Sequence, residues 1–239
     1  MSEAVVYAGK DLEAMSFAVN YHRWILQEFR PFLGKHIVEV GAGTGSFSEL
    51  ILEIEPETLS LVEPSGMYSQ LVSTLPKNDP RTRVDFYNAT FRAKAAALTE
   101  KQRPDSIIYV NVLEHIEDDE GELAAIYESL DAGGRCFLFV PALKALYGDF
   151  DRKLGHFRRY TKEELEQKTT AAGFQILRSR YFDVAGVLPW FVTYRLLGSV
   201  DINPGAVNLY DKVVVPIFKR IESLVPFPAG KNILLIAEK

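Results

Sequence analysis

Val38-Glu39-Val40-Gly41-Ala42-Gly43-Thr44-Gly45-Ser46-Phe47 is the stretch whose reading decides the fold. The apolar run His36 to Val40 reads as a short buried strand, and Ser46 onward reads as a helix. Between them, three alternate glycines let the chain turn tightly and approach a ligand with no Cβ in the way. A second apolar run ends at Glu63, 22 residues after Gly41. There the second strand of a βαβ unit offers a carboxylate to ribose hydroxyls. The pattern is that of a nucleoside-binding crevice. A dinucleotide fingerprint wants a third glycine where Ser46 stands, whereas the order here is acid-x-Gly-x-Gly-x-Gly.

That order resembles motif I of the class I S-adenosylmethionine-dependent methyltransferases, and the likeness continues downstream. Leu61-Val62-Glu63-Pro64-Ser65 is similar to the family's second motif. Asn111-Val112-Leu113-Glu114-His115-Ile116 is similar to the segment after its fourth strand, and Ala132-Gly133-Gly134-Arg135 with Cys136 to Val140 to its fifth strand and the preceding turn. The resemblance covers about residues 36–141. It implies S-adenosylmethionine as cofactor, S-adenosylhomocysteine as product, and methyl transfer to an O or N atom, or a C atom, of a small or amphipathic molecule.

The chain outside the motifs supports an α/β, Rossmann-like fold. Apolar residues at Met15, Val19, Trp24, Ile25, Phe29 and Leu33 recur near helical period and predict an amphipathic helix before the first strand. Strands follow at about 36–40, 58–62, 83–88, 105–111 and 135–140, with helices at about 46–54, 65–75, 91–102 and 119–130. Such alternation predicts a seven-stranded, mostly parallel sheet with helices on both faces. Thr161-Lys162-Glu163-Glu164 is a capping-box start for one more helix, ended by Gly173. Phe174 to Phe182 then reads as a strand, and Asn232 to Glu238 as the last, which the family resemblance implies runs antiparallel. We expect one domain over 1–239: an N-terminal helical segment (1–34), a core (35–183 and 231–239) and a helical insertion (184–230) between the last two strands. In the insertion, Tyr210, Val213, Val214, Ile217, Ile221 and Leu224 share a helical face, with a kink expected at Pro216. A cap over an apolar pocket, a packing extension, a homodimer interface and a peripheral membrane contact all stay open for it.

Composition narrows the partners. A net charge of −5 argues against the broad basic surface that nucleic acid needs. The single Cys136 falls in a predicted buried strand, which excludes an internal disulfide and favours a reducing cytoplasm. The start lacks a signal pattern, and no run of 18 or more apolar residues predicts a membrane span.

Site residues follow. Backbone at Gly41, Ala42, Gly43 and Gly45 approaches the cofactor's sugar and amino-acid tail, Glu39 supports the loop or accepts from the ammonium, and Glu63, next to Pro64, takes the ribose hydroxyls. Met67 is expected against adenine, with Ala89 and Thr90 resembling the family's other adenine wall. Asn111 and Val112 end the fourth strand at the carboxyl edge where ligands bind. Tyr7 and Tyr21 are candidates to close over the cofactor, Tyr21 preferred for its apolar face and polar tip. His115 and His156 are the candidate general bases. His156 lies in the dense string Tyr147 to Tyr160, where Tyr147, Arg158 and Arg159, with Trp190 of the insertion, are candidates to bind the acceptor, the arginines through a carboxylate or phosphate; a hydrogen-bond and salt-bridge network that pins the loop is the open alternative for this string. Asp149, Asp151 and His156 can in principle hold a divalent ion, but no further His or Cys completes a ligand pattern, so no metal is expected. Two other readings stay open: a binding protein that keeps the fold without turnover, and an NAD(P)-dependent oxidoreductase.

Overall fold

One sheet with strand order β3-β2-β1-β4-β5-β7-β6 organises the chain: β1 His36–Val40, β2 Thr58–Val62, β3 Arg83–Tyr87, β4 Ser106–Val110, β5 Arg135–Pro141, β6 Gln175–Phe182 and β7 Asn232–Glu238. The computed structural model describes residues 18–76, 80–95 and 103–239. Pairing is parallel from β3 through β5, and β7 alone runs antiparallel to both its neighbours. The chain winds outward from β1 to β3 and then returns to place β4 on the other side of β1. The carboxyl ends of β1 and β4 therefore flank the switch point where open α/β sheets bind ligands.

Both faces of the sheet are covered, so its central strands are apolar throughout rather than alternating. Successive β5 residues serve opposite cores: Phe137 and Phe139 pack with one cluster, Cys136, Leu138 and Val140 with the other. The helices Val19–Phe29 and Ser46–Leu52 cover the first face, through Trp24, Ile25, Phe47 and Ile51. Those at Asp119–Ser129 and Lys162–Ala171 cover the second, through Leu123, Ile126 and Leu165. Thr161 caps the latter by accepting from Glu164 N at 3.1 Å, and Gly173, at φ +107°, turns the chain into β6.

Several expected boundaries shift. The helix placed at 65–75 spans Tyr68–Thr74 after a turn at 65–67, and the strand placed at 105–111 stops at Val110, since Asn111 takes φ 53°. Residues 91–95 are helical, while the remainder of the helix expected to 102 lies outside the described residues, as do Tyr7 and Met15. No helix among the described residues is long and apolar enough to cross a membrane.

The 184–230 insertion is helical, with segments at Val187–Trp190, Pro204–Leu209 and Val215–Leu224. Wide π-turns at Phe191–Leu196 and Tyr210–Val214 extend them. Pro216 brings no N–H for a regular i to i−4 bond, and the helix opens into the second wide turn just before it. Buried acids fasten the insertion to the core. Glu222 accepts from Asp183 N, Val184 N and Arg180, while Asp183 takes the Tyr210 hydroxyl and the Lys231 ammonium. Its Leu188, Leu196, Leu197, Leu209, Ile217 and Leu224 are exposed.

The Val19–Phe29 helix has no cap of its own, because Ala18 stands at its N-cap. Asp211 supplies one from the insertion: its carboxylate accepts from Asn20 N at 3.0 Å, from Tyr21 N at 2.8 Å and from the Asn20 amide at 3.1 Å. An anion there also opposes the positive end of the helix dipole. Asp211→Ala should therefore cost about 1.5–3 kcal/mol, the range for hydrogen bonds to a buried charge. Asp211→Asn should recover part of it. Melting temperatures of the three proteins check this, and an unchanged Asp211→Ala would remove the cap from the account.

Candidate functional site

At the end of β1, Gly41, Gly43 and Gly45 all take left-handed backbone, at φ 69°, 59° and 94°. Gly41 admits no side chain, because a Cβ there would come within 2.4 Å of Val112 Cγ2. The glycine loop and the segment after β4 thus touch directly. Beside Gly43, by contrast, a Cβ would meet nothing closer than the Gly41 carbonyl at 4.0 Å, so a small open cradle lies next to the buried backbone.

Two carboxylates hold this loop. Glu63, at the tip of β2, accepts from Gly43 N with one oxygen and from Ser65 N with the other, both at 2.8 Å. Each oxygen keeps a second lone pair for a further donor. Glu39, buried in β1, accepts from the Ser48 hydroxyl at 2.5 Å and so ties the strand to the helix after the loop. Burial pushes the Glu39 carboxyl up to about 8, the Ser48 bond opposes the rise and the Glu63 charge adds to it. Pro64 and Thr90 are exposed, and Met67, Ala89, Asn111 and Val112 are half-buried. Tyr21 sits deeper, with edge-to-face contacts to Trp24, Phe139 and Phe182. Its hydroxyl donates to Asn232 Oδ1 at 3.1 Å, and Asn232 reaches the Asn111 amide oxygen at 3.5 Å. Tyr21 therefore supports the β4 end from below.

The second cluster is built on Asp151, which is fully buried near the start of the short helix Asp149–Leu154. It accepts from Gly148 N at 3.0 Å, Arg159 Nε at 2.7 Å and His156 Nδ1 at 2.9 Å. Burial alone would raise the Asp151 carboxyl, but the bonds from His156 and Arg159 hold it below the usual range. An ionised carboxylate can only accept, so this bond holds a proton on His156 Nδ1 and orients the ring. Tyr147 donates to the His156 carbonyl at 2.8 Å.

Beside His156 stands His115, ring centroids 4.5 Å apart. Burial and the neighbouring His156 push His115 down to about 3, against a hydrogen bond to the Gly155 backbone. Glu114 completes the group. It is fully buried, and neither carboxylate oxygen has a hydrogen-bond partner beyond the residue's own backbone N–H. Burial raises its carboxyl to about 7, with the His156 and Arg159 charges pulling the other way. One ligand atom from each of Glu114, His115 and His156 lies within 4.8 Å of the others.

The expected anion-binding arginines are already engaged. Arg158 pairs with Asp119 at 2.8 Å and donates to the Glu117 carbonyl at 2.6 Å. Arg159 pairs with Asp151, donates to the Ala142 carbonyl and lies 4.9 Å from the Trp190 ring. Asp119 also takes Lys168 and the Tyr160 hydroxyl. Trp190 meets Phe150 edge-to-face, which joins the insertion to the His156 loop, and packs at a tilt on Tyr194 within the insertion. The metal group weighed in the sequence does not form as such, since Asp149 is exposed beside Arg152 and Asp151 is filled by three donors. Sequence reasoning missed Glu114 as a site residue, although its place next to His115 at a strand end was the available signal.

A family model described as a methyltransferase domain matches residues 17–179, and no curated protein matches. Among solved structures, a SAM-dependent methyltransferase from Archaeoglobus fulgidus superposes with TM-score 0.58 at 15% identity, over 90% of this chain and 91% of that one. The Burkholderia thailandensis 1,6-didemethyltoxoflavin-N1-methyltransferase, bound to 1,6-didemethyltoxoflavin and S-adenosylhomocysteine, gives 0.59 at 17%, over 97% and 82%. Phosphoethanolamine N-methyltransferase 2 of Haemonchus contortus, in complex with S-adenosyl-L-methionine, gives 0.57 at 16%, over 92% and 52%. With two thirds of its length matched by the family and the sheet order and glycine loop in agreement, this chain belongs to the methyltransferase-domain family, in the class I S-adenosylmethionine-dependent superfamily.

Proposed function

We propose that the protein transfers the methyl group of S-adenosylmethionine to an O or N atom, or a C atom, of a small or amphipathic acceptor. The observation that carries the reading is the contact of Gly41 with Val112, which sets the nucleoside-binding loop against the segment bearing Glu114 and His115. The cradle beside Gly43 fits a ligand that needs close backbone approach. S-adenosylmethionine supplies an electrophilic methyl on a sulfonium. The chain's own groups do the rest: Glu63 binds the ribose hydroxyls with its spare lone pairs, Glu39 faces the ammonium end, and Met67, Ala89 and Thr90 flank the adenine. Asn111 and Val112 border the methionine part. Most of the rate enhancement comes from holding donor and acceptor in line. On the acceptor side, His156 Nε2 takes the proton of an acceptor that arrives protonated, and Asp151 keeps the ring in that tautomer. Arg158 and Arg159, being ion-paired, hold the loop, so acceptor contacts fall to Tyr147 and Trp190. The insertion, packed on the same loop through Trp190, serves as the cap.

Calorimetric titration tests the cofactor. S-adenosylmethionine and S-adenosylhomocysteine should bind and NAD and NADP should not; dinucleotide preference would overturn the reading. Glu63→Ala should weaken the adenosyl ligands at least about 10-fold, the loss of one or more charge-assisted bonds.

His156→Gln should lower turnover by about 10²–10⁴, the range for a general base, while cofactor affinity stays unchanged. Parallel loss of both would make the residue a loop support.

For Glu39 the linkage has a definite sign. Its carboxyl titrates near 8 in the fold and near the ordinary 4.5 when unfolded. Between those values the folded state holds the extra proton, so stability falls as pH rises through the window. Glu39→Gln should flatten the decline in unfolding free energy between about pH 5 and 9, a decline on the order of a few kcal/mol in the parent protein, as read from denaturant unfolding at several pH values. An unaltered slope would mean that Glu39 is not the group responsible.

A further inference from the structure

We propose that Glu114, His115 and His156 form a binding site for one divalent transition-metal ion. Three features point there independently. The first is geometry: one imidazole nitrogen from each histidine and one Glu114 oxygen lie within 4.8 Å of one another, a span that a single ion can bridge. The second is the state of Glu114. A fully buried carboxylate with both oxygens lacking a partner from any other residue is costly to leave so, and a cation is the group that satisfies it.

The third is the outer ring of hydrogen bonds. Metal-binding histidines give their other N–H to a carboxylate or a backbone carbonyl, which orients the ring. His156 Nδ1 meets the Asp151 carboxylate at 2.9 Å, and His115 is hydrogen-bonded to the backbone of Gly155. Each ring is thus oriented by a hydrogen bond to a neighbouring carboxylate or backbone group. Arg159 and Gly148 N in turn fix Asp151, so the supporting shell is itself supported. Two imidazoles and one carboxylate select Zn²⁺, Mn²⁺, Fe²⁺, Co²⁺ or Ni²⁺ over Mg²⁺ and Ca²⁺, and leave positions open on the ion.

An ion with open positions beside the cofactor loop acts as a Lewis acid. An acceptor hydroxyl that fills such a position gives its proton to solvent. Its oxygen then takes the methyl group, and the sulfonium becomes a neutral thioether. Under this arrangement His156 acts as a ligand instead of a base. The use of the ion rests on the methyl-transfer reading; the binding of the ion does not.

The test is made on chelator-treated full-length protein without cofactor. Zn²⁺ titration by calorimetry should saturate at one ion per chain, Co²⁺ should give the intense visible bands of a low-coordinate imidazole site, and Mg²⁺ should give no heat. Glu114→Gln and His156→Gln should each weaken Zn²⁺ by at least about 100-fold with melting temperature of the metal-free protein held, and Asp151→Asn by about 10–100-fold. Absence of Zn²⁺ uptake overturns the site. So does uptake that persists in Glu114→Gln and His156→Gln, which would assign the ion to His22 or His36, the other two histidines of the chain. Zinc uptake in a protein that ignores S-adenosylmethionine leaves the site standing and fells the methyl-transfer reading instead.

Discussion

The Asp151 carboxylate is the point on which the loop between β5 and the Lys162–Ala171 helix depends. It is buried without any access to water, and each of its bonds orders a different part: the turn before its helix, the His156 ring and the Arg159 guanidinium. A buried charge is expensive unless it is paired and hydrogen-bonded, and here the chain meets that demand with two side chains and one backbone N–H. The loop after β5 therefore has a defined shape although it contains little regular structure. Arg159 passes that order to the insertion by lying over Trp190.

On the cofactor side the constraint is backbone space rather than charge. Gly41 is required because Val112 fills the room a side chain would need, whereas Gly43 keeps open the room a ligand would need. The two glycines look alike in sequence and do opposite jobs. Glu63 and Glu39 then stiffen the loop from two strands, one by receiving backbone N–H groups, the other by gripping the first turn of the next helix.

The strands were legible because the relevant signals are local: apolar runs, capping residues and glycines at fixed offsets. β7 is read correctly to the residue, Asn232–Glu238, since a run buried on both faces has no competing interpretation. Boundaries at β4 and at the Tyr68–Thr74 helix moved because Asn111 and the 65–67 turn take conformations that no periodicity encodes. The histidine cluster was half legible. His115 and His156 stood out by chemistry, but their meeting requires residues 41 positions apart to be folded together, and the same folding uses up Arg158 and Arg159 in ion pairs. Sequence alone gives no account of which charges will find partners and which, like Glu114, will not.

The borrowed cap on the Val19–Phe29 helix has a consequence for how the chain is made. An 11-residue helix without its own cap is marginal in isolation, and its missing acceptor is encoded 190 residues later. During synthesis that helix emerges long before the residue that seals its end. Six of the seven strands precede Asp211 in the chain, so the end of this helix is sealed only after those strands have been made.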